Sequence, residues 1–152
     1  MSAEANLKAM DLILPDAVAP SATYVRYKKV GDLIFLSGQG PRRADGSMPE
    51  GIVGEDFTVE EAYGFARQTG LGLLAAMKDA CGSLDKVEVI KVFGMVNAAP
   101  GFAHHPQVIN GCSDLFVAVL GDNGRHARSA VGMGSLPGNM PIEIEAIVRQ
   151  LP

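Results

Sequence analysis

The sequence predicts an α+β fold in which two helices cover one face of a single mixed sheet, in the order β-β-α-β-α-β-β. Five short segments predict strands, because they are rich in β-branched and aromatic residues or alternate apolar with polar side chains. Two longer segments predict helices, because their apolar residues recur at helical spacing. No repeat or linker divides the 152 residues, so we expect residues 1–152 to form one domain.

A β-hairpin is predicted in the first third of the chain. Its strands are residues 24–30 and 33–36, and the Gly31-Asp32 dipeptide between them favours a type I′ or II′ turn. The second strand runs into residues 37–41, Ser-Gly-Gln-Gly-Pro, where the glycines allow a ligand or another chain to approach the backbone closely.

The segments on either side of this hairpin are not predicted to form long regular elements. Prolines in residues 1–20 prevent a long regular element, and residues 12–14, Leu-Ile-Leu, are expected to pack on the body of the protein as a short edge segment. Residues 42–56 are polar and rich in glycine and proline, which predicts a surface loop.

The first predicted helix has a clear start and a clear end. Thr58 and Glu61 form a capping-box pattern, and Gly82 is typical of a helix C-terminus. Gly70 and Gly72 reduce helix stability, which suggests close packing against the sheet. The apolar stripe of this helix comprises Ala62, Phe65, Ala66, Thr69, Leu73, Ala76, Met77 and Ala80.

A strand at residues 87–96 precedes the second predicted helix. That helix should begin around Pro106, since proline suits the first helical position, and should end at residues 121–124, Gly-Asp-Asn-Gly. Asn110 lies off its apolar stripe. The stripe comprises Val108, Cys112, Leu115, Phe116 and Val119.

The last part of the chain is predicted to be strand, turn and strand. The strands are residues 129–133 and 142–148, and the turn is the Leu-Pro-Gly-Asn of residues 136–139. If the sheet face opposite the two helices is apolar, it needs a cover of its own, so we expect the protein to form an oligomer.

Charged residues in these last strands are candidates for function. Strand alternation places Arg128 on one face with Ala130 and Gly132, so a rigid bidentate donor for carboxylate or phosphate stands beside open space. Glu143 and Glu145 share one face of an otherwise apolar strand, where carboxylates are costly unless they are solvated, paired or used. Taken alone, such a pair is more often a solvated, ion-paired face.

Composition narrows the class of protein. The net charge of −4 and the pI near 5.3 argue against a general electrostatic grip on nucleic acid, so RNA or DNA is not expected as a partner. Cys81 and Cys112 lack metal or redox spacing and are predicted to be buried free thiols, which suits a reducing cytoplasm. No signal peptide and no membrane span are expected, because no basic start or long apolar run is present.

The three histidines do not have the spacing of a metal site. His104 and His105 stand at a predicted helix start and His126 directly precedes the last strands, so solvent or capping roles are expected for all three. No metal or organic cofactor is expected.

With these elements in place, the chain resembles the Rid (YjgF-like) family, whose archetype is a reactive intermediate deaminase. The resemblance covers residues 20–151, and Arg128 stands at the family spacing from the final strand without a gap. It implies a chorismate-mutase-like α+β fold and a homotrimer with a cleft at each subunit interface. The segments that carry it are residues 35–39 (FLSGQ), 127–129 (ARS), 136–137 (LP) and 142–147 (IEIEAI).

The resemblance also implies roles for individual residues. Arg128 falls on the family arginine that grips the substrate carboxylate, and Glu143 on the glutamate that positions or activates the hydrolytic water. Ala130 stands in the cleft where many deaminating members carry a cysteine. The other cleft residues implied are Tyr24, Ser37, Gly38 and Asn110, the last aligning only if one residue is inserted between it and the arginine.

The implied activity is hydrolysis of reactive 2-imino or enamine acids to 2-ketoacids and ammonia, at a cleft between subunits and without a cofactor. Two alternatives stay open. One is a non-catalytic trimer that binds a small carboxylate such as a ketoacid. The other is RNA cleavage, since some relatives carry the name endoribonuclease, although the acidic composition gives it little support.

Overall fold

The computed structural model describes residues 2–16, 19–20 and 22–152. Within these residues the chain forms three α-helices and five strands. The helices are α1 (Ala3–Ala9), α2 (Val59–Cys81) and α3 (His105–Leu120); the strands are β1 (Tyr27–Val30), β2 (Leu33–Gln39), β3 (Val87–Asn97), β4 (Ala127–Met133) and β5 (Ile142–Gln150). After α1, the order matches the predicted β-β-α-β-α-β-β.

The five strands form one mixed sheet in the order β1-β2-β5-β3-β4. Strands β3 and β4 are parallel, because α3 crosses over between them, and every other pair is antiparallel. Strand β5 lies between β2 and β3, so the last two strands of the chain do not pair with each other. A short 3₁₀ turn at Pro137–Asn139 leads from the edge of the sheet back to its centre.

The two faces of the sheet differ in what covers them. Alternate residues of β3 and β5 are buried beneath α2 and α3, which confirms the predicted α+β layer. We call the opposite side the open face, because no helix of the described residues packs over it and two of its residues, Phe35 and Val131, are 42% and 37% exposed. Its apolar members include Phe35, Phe93, Met95, Val131 and Ile147.

Helix α2 confirms the local signals in the sequence. The Thr58 hydroxyl accepts from Glu61 N, the Glu61 carboxylate accepts from Thr58 N, and Gly82 ends the helix in the left-handed region. The predicted stripe is buried except for Phe65, which is half-buried. Gly72 packs against Gln39 of the sheet as expected, but Gly70 packs against Leu115 of α3.

Two features near the N-terminus differ from the prediction. Helix α1 was not predicted, although its seven residues are not the long element that the prolines exclude. Residues 12–14 form no strand and Ile13 is 86% exposed, but Leu12 and Leu14 pack against the core as expected. The helix is stabilised by distant groups, since Asn6 Nδ2 donates to Val119 O and Ala3 N donates to Asp85 Oδ1.

Other boundaries also differ from the prediction. Strand β1 begins at Tyr27, so residues 24–26 lie outside it, while β4 begins before residue 129 and β5 continues beyond residue 148. The expected surface loop at residues 42–56 contains Val53, which is fully buried and bridges to Phe57 and Ala98. That loop is therefore partly core.

The two cysteines are buried and free, as predicted, in α2 and α3. Burial raises the pKa of both thiols above the ordinary value. Among the described residues, no helix is both long enough and apolar enough to span a membrane.

Helices α2 and α3 cross closely at Gly111, where a Cβ atom would collide with the backbone carbonyl of Tyr63. We expect Gly111→Ala to lower the free energy of unfolding by about 1–3 kcal/mol, because neither backbone can move without disturbing the core. Gly64 is the matched control, since it lies in α2 with open space around its Cα. Gly64→Ala should raise stability by up to about 1 kcal/mol. Urea unfolding of both variants checks the opposite signs.

Candidate functional site

Arg128 lies on the edge strand β4, on the face that the helices cover. Its strand neighbours in the same row are Val92 and Ala146, both buried. The half-buried guanidinium turns toward α3, where Nη1 donates to Asn110 Oδ1 at 2.8 Å and to Ser113 Oγ at 3.0 Å. The structure therefore brings together Arg128 and Asn110, two of the residues that the sequence singled out.

The other edge of this guanidinium is not used by the described part of the chain. A guanidinium carries five N–H donors, and the two hydrogen bonds to α3 both come from Nη1. Within the described residues, neither Nε nor Nη2 has a hydrogen-bond acceptor, and no Asp or Glu carboxylate lies within ion-pair distance of Arg128. Paired Nε and Nη2 donors match a carboxylate side-on, so the group is suited to an anionic ligand.

Small residues follow Arg128 along the strand, but they do not leave all the space that the sequence suggested. Ala130 is half-buried and packs against the core, opposite Gly94 of β3. At Gly132 a Cβ would lie 2.6 Å from Nε2 of His105, so this imidazole fills the space beside that glycine. The expectation of open space is wrong at Gly132.

Arg128 is connected to His126 by hydrogen bonds through Ser113. His126 Nδ1 lies 2.6 Å from Gly124 O and its Nε2 lies 2.9 Å from Ser113 Oγ. Burial lowers the pKa of His126, the hydrogen bond to Gly124 opposes this, and the charge of Arg128 lowers it further. The prediction of a solvent or capping role for His126 is wrong, and Ser113 was missed. Strand parity could have found His126, because residues 126 and 128 share a face.

The other two histidines lie at the start of α3. His104 is exposed and makes no side-chain cap hydrogen bond, which fits a solvent role. His105 is half-buried and packs edge-on against Phe102, so its expected solvent or capping role is wrong as well. Among the described residues, no three His, Cys, Asp or Glu side chains are grouped as metal ligands would be.

Glu143 lies on β5 and points to the open face, in one row with Met95 and Val131. Its half-buried carboxylate lies so close to the backbone of Gly38 that a Cβ at that position would collide with Oε1. Burial raises the pKa of the Glu143 carboxyl, and the neighbouring Glu145 carboxylate raises it further. Glu145 itself is exposed.

The hairpin supplies the other predicted residues. Ser37 borders Gly38 on β2, and its hydroxyl donates to Val25 O at 2.6 Å, which holds the segment before β1 against the sheet. Tyr24 lies in that segment and is 53% exposed, so its ring does not contribute to the core.

Five of the seven predicted site residues, together with Ser113 and His126, therefore form two separate groups. The Arg128 group comprises Asn110, Ser113, His126 and Arg128, on the helix-covered side of the β4 edge. The Glu143 group comprises Ser37, Gly38 and Glu143, on the open face at β2 and β5. Strand β3 lies between them, so a single chain does not bring the two groups together.

Comparison with known sequences identifies the class of protein to which this fold and these two groups belong. The profile of the family described as "YjgF/chorismate_mutase-like, putative endoribonuclease" matches residues 4–146. The chain belongs to this family, which also confirms the resemblance and the fold class predicted from the sequence.

Three relatives show where the chain stands within the family. Protein TCP17 of Trypanosoma cruzi is 40% identical over 146 residues, which are 95% of this chain and 91% of that protein. The crystal structure of Atu1372 from Agrobacterium tumefaciens, a protein of unknown function, is 42% identical with a TM-score of 0.88, over 97% of this chain and 93% of that one. RidA from the Antarctic bacterium Psychrobacter sp. is 29% identical with a TM-score of 0.61, over 88% and 93%. The fold therefore superposes better on Atu1372 than on that RidA.

Proposed function

We propose that the protein hydrolyses small 2-imino acids to 2-ketoacids and ammonia, at a cleft formed between two copies of the chain. The observation that carries this proposal is the unused Nε and Nη2 edge of Arg128, which is half-buried and has no counterion within the described residues. A carboxylate next to a C=N bond is the simplest ligand for such an edge.

The chemistry needs few protein groups. Water adds to the imine carbon and gives one proton to a base, while the C=N π electrons move to nitrogen, which takes up that proton. The proton of the new hydroxyl group then passes to nitrogen as the C=O bond forms, and the C–N bond breaks with its electrons leaving on ammonia. Arg128 holds the carboxylate, and Glu143 takes the proton of the attacking water and returns it to the leaving nitrogen. The raised pKa of Glu143 suits this role, because a base whose pKa lies nearer to neutrality accepts and returns a proton more readily.

The division of the two groups between opposite sides of the sheet favours a site between subunits. The β4 edge of one copy would supply the Arg128 group, and the open face of a second copy would supply the Glu143 group. The exposed Phe35 and Val131 give that face an apolar contact surface. A closed ring of three copies, as the family resemblance implies, would repeat this heterologous contact three times.

A mixing experiment tests the shared site. Arg128→Ala and Glu143→Gln chains should each keep about one per cent or less of wild-type kcat/KM. Trimers refolded from an equal mixture should recover about a quarter of wild-type kcat/KM, because one in four contacts pairs an intact arginine with an intact glutamate. If both residues served within one chain, no activity would return. Sedimentation of the wild type provides the number of copies.

Imine hydrolysis is tested directly with imines that an amino acid oxidase generates in the assay mixture. The rate of ketoacid release with the protein is compared with the rate without it. Acceleration by the wild type supports the proposal. Ketoacid binding without faster imine hydrolysis would overturn the proposal in favour of a carboxylate-binding trimer. The observation that favours this alternative is Ala130, which stands where many deaminating members carry a cysteine. Cleavage of RNA is the weaker alternative at a net charge of −4.

A further inference from the structure

A chain of hydrogen bonds runs from the backbone to the guanidinium of Arg128. Gly124 O lies 2.6 Å from His126 Nδ1, His126 Nε2 lies 2.9 Å from Ser113 Oγ, and Ser113 Oγ lies 3.0 Å from Arg128 Nη1. The chain connects the turn after α3, the helix itself and the edge strand β4. It reaches Arg128 from the side opposite its unused donors.

The chemistry of these groups sets the direction of each bond. A carbonyl oxygen only accepts, so His126 Nδ1 carries the hydrogen and Nε2 holds the lone pair. The Ser113 hydroxyl therefore donates to Nε2, which leaves its oxygen free to accept from Arg128. With these directions the imidazole is neutral, since a protonated Nε2 would donate to the Ser113 oxygen and the serine hydrogen would need another acceptor.

We propose that His126, acting through Ser113, is a positioning residue that aims the free edge of the Arg128 guanidinium at the substrate carboxylate. This inference rests on the function proposed above and identifies how its carboxylate anchor is held. With Nη1 fixed by Asn110 and by Ser113, the plane of the guanidinium is set, and Nε and Nη2 keep one orientation. If the second acceptor is removed, the group rotates about a single hydrogen bond.

Protonation of His126 disturbs this arrangement. A hydrogen on Nε2 would face the Ser113 hydroxyl, whose own hydrogen would have to turn away, for example toward a carbonyl of its own helix. A second positive charge would also stand beside Arg128. We therefore expect the affinity for carboxylates to fall as the pH falls through the pKa of His126, which burial places below the ordinary histidine value.

Within this series of hydrogen bonds, His126 is the group whose protonation changes the bonding. Phe116 packs edge-on against its ring from α3 with 6.0 Å between ring centroids, and Arg128 is the charged group in contact through Ser113. The other titratable or charged groups of the neighbouring elements have partners or surroundings of their own: Cys112 is buried in α3 with a raised pKa, Asp114 accepts from Tyr63, Asp122 pairs with Arg125 in solvent, and Lys91 bonds to Ser129 on the open face.

Four variants test the series of hydrogen bonds from Gly124 to Arg128. His104→Gln is the histidine control, because His104 is exposed and makes no cap hydrogen bond. His126→Gln places an acceptor that does not titrate near the position of Nε2, and His126→Leu removes the acceptor. Ser113→Thr keeps the bridging hydroxyl, and Ser113→Ala removes it. Each is compared with wild type by the ¹⁵N resonance of the Arg128 side chain in labelled protein and by the pH dependence of pyruvate binding.

We expect His126→Leu and Ser113→Ala to shift the Arg128 resonance and to weaken pyruvate binding about tenfold, the effect of losing one hydrogen bond to a charged group. His126→Gln and Ser113→Thr should bind as wild type at neutral pH, and His126→Gln should also lose the fall in affinity at acid pH. Circular dichroism confirms that each variant is folded.

Two results separate this inference from the proposed function. If the resonance and the pH profile stay unchanged in both His126→Leu and Ser113→Ala, the positioning role is overturned, whatever the enzyme does. If the resonance shifts as expected while wild type neither binds pyruvate nor hydrolyses imines, the positioning of Arg128 is supported and the proposed function fails.

Discussion

Arg128→Ala is expected to lower kcat/KM for imine hydrolysis at least about a hundredfold, mostly through weaker substrate binding. The reason is geometric. Nη1 is occupied by α3, so the carboxylate would rely on the Nε and Nη2 donors of one residue. Arg128→Lys should recover little, because a lysine offers a single point of charge and cannot form the side-on pair. Initial rates of ketoacid release over a range of imine concentrations check both variants.

Arg125→Ala is the matched control for this substitution. Arg125 precedes the same strand, is exposed, and pairs with Asp122 at 3.4 Å in solvent, so its removal changes the net charge equally without touching the Arg128 group. Its kcat/KM should stay within about twofold of wild type. Equal losses in Arg125→Ala and Arg128→Ala would mean that general electrostatic attraction, and not a carboxylate anchor, accounts for binding.

Glu143→Gln is expected to reduce kcat by about a hundredfold to ten-thousandfold, the usual contribution of a positioned acid–base group. The amide keeps the shape of the side chain against Gly38 but cannot take a proton from water. In wild type the base must be ionised, so kcat should fall as the pH falls through the pKa of Glu143, which is raised above the ordinary value. Glu143→Gln should lack this acid limb.

Glu145→Gln is the control on the same strand and the same face. It removes an equal charge from an exposed position, so the rate at neutral pH should stay near that of wild type. Because the Glu145 carboxylate contributes to the raised pKa of Glu143, the acid limb should move to lower pH in this variant. An unchanged acid limb in both variants would show that another group takes the proton.

The substitution Glu143→Gln should also raise the free energy of unfolding at neutral pH. A carboxyl whose pKa is raised on folding contributes stability that is fully present below the unfolded pKa and is lost as the pH rises through the folded pKa. At neutral pH the ionised Glu143 therefore opposes folding, and the amide does not. Denaturant midpoints of Glu143→Gln and wild type should differ at pH 7 and converge in acid.

Most of the fold could be predicted because its signals are local. The capping box at Thr58 and the glycine at residue 82 set the ends of α2 without help from the rest of the chain. Helix α1 could not be found in the same way. It has seven residues, and its stability depends on hydrogen bonds from Asn6 and Ala3 to groups far along the chain.

The order of the strands in the sheet could not be predicted from local sequence signals either. Each of the last two strands could be recognised by its alternation, but the insertion of β5 between β2 and β3 depends on pairings across most of the sequence. The candidate site shows the same limit. Parity on β4 predicts which residues accompany Arg128 on the strand, yet Ser113 comes from a helix, and the contact between Glu143 and Gly38 joins opposite ends of the chain.

The separation of the Arg128 and Glu143 groups by strand β3 has a consequence for how the protein would behave in a cell. A cleft that exists only where two chains meet follows mass action, so specific activity would depend on protein concentration as well as on conditions. Substitutions on the open face, at Phe35 or Val131, would then abolish the proposed imine hydrolysis without altering any group that meets substrate. Abundance itself would act as a regulator, with turnover appearing only above the level at which the copies assemble.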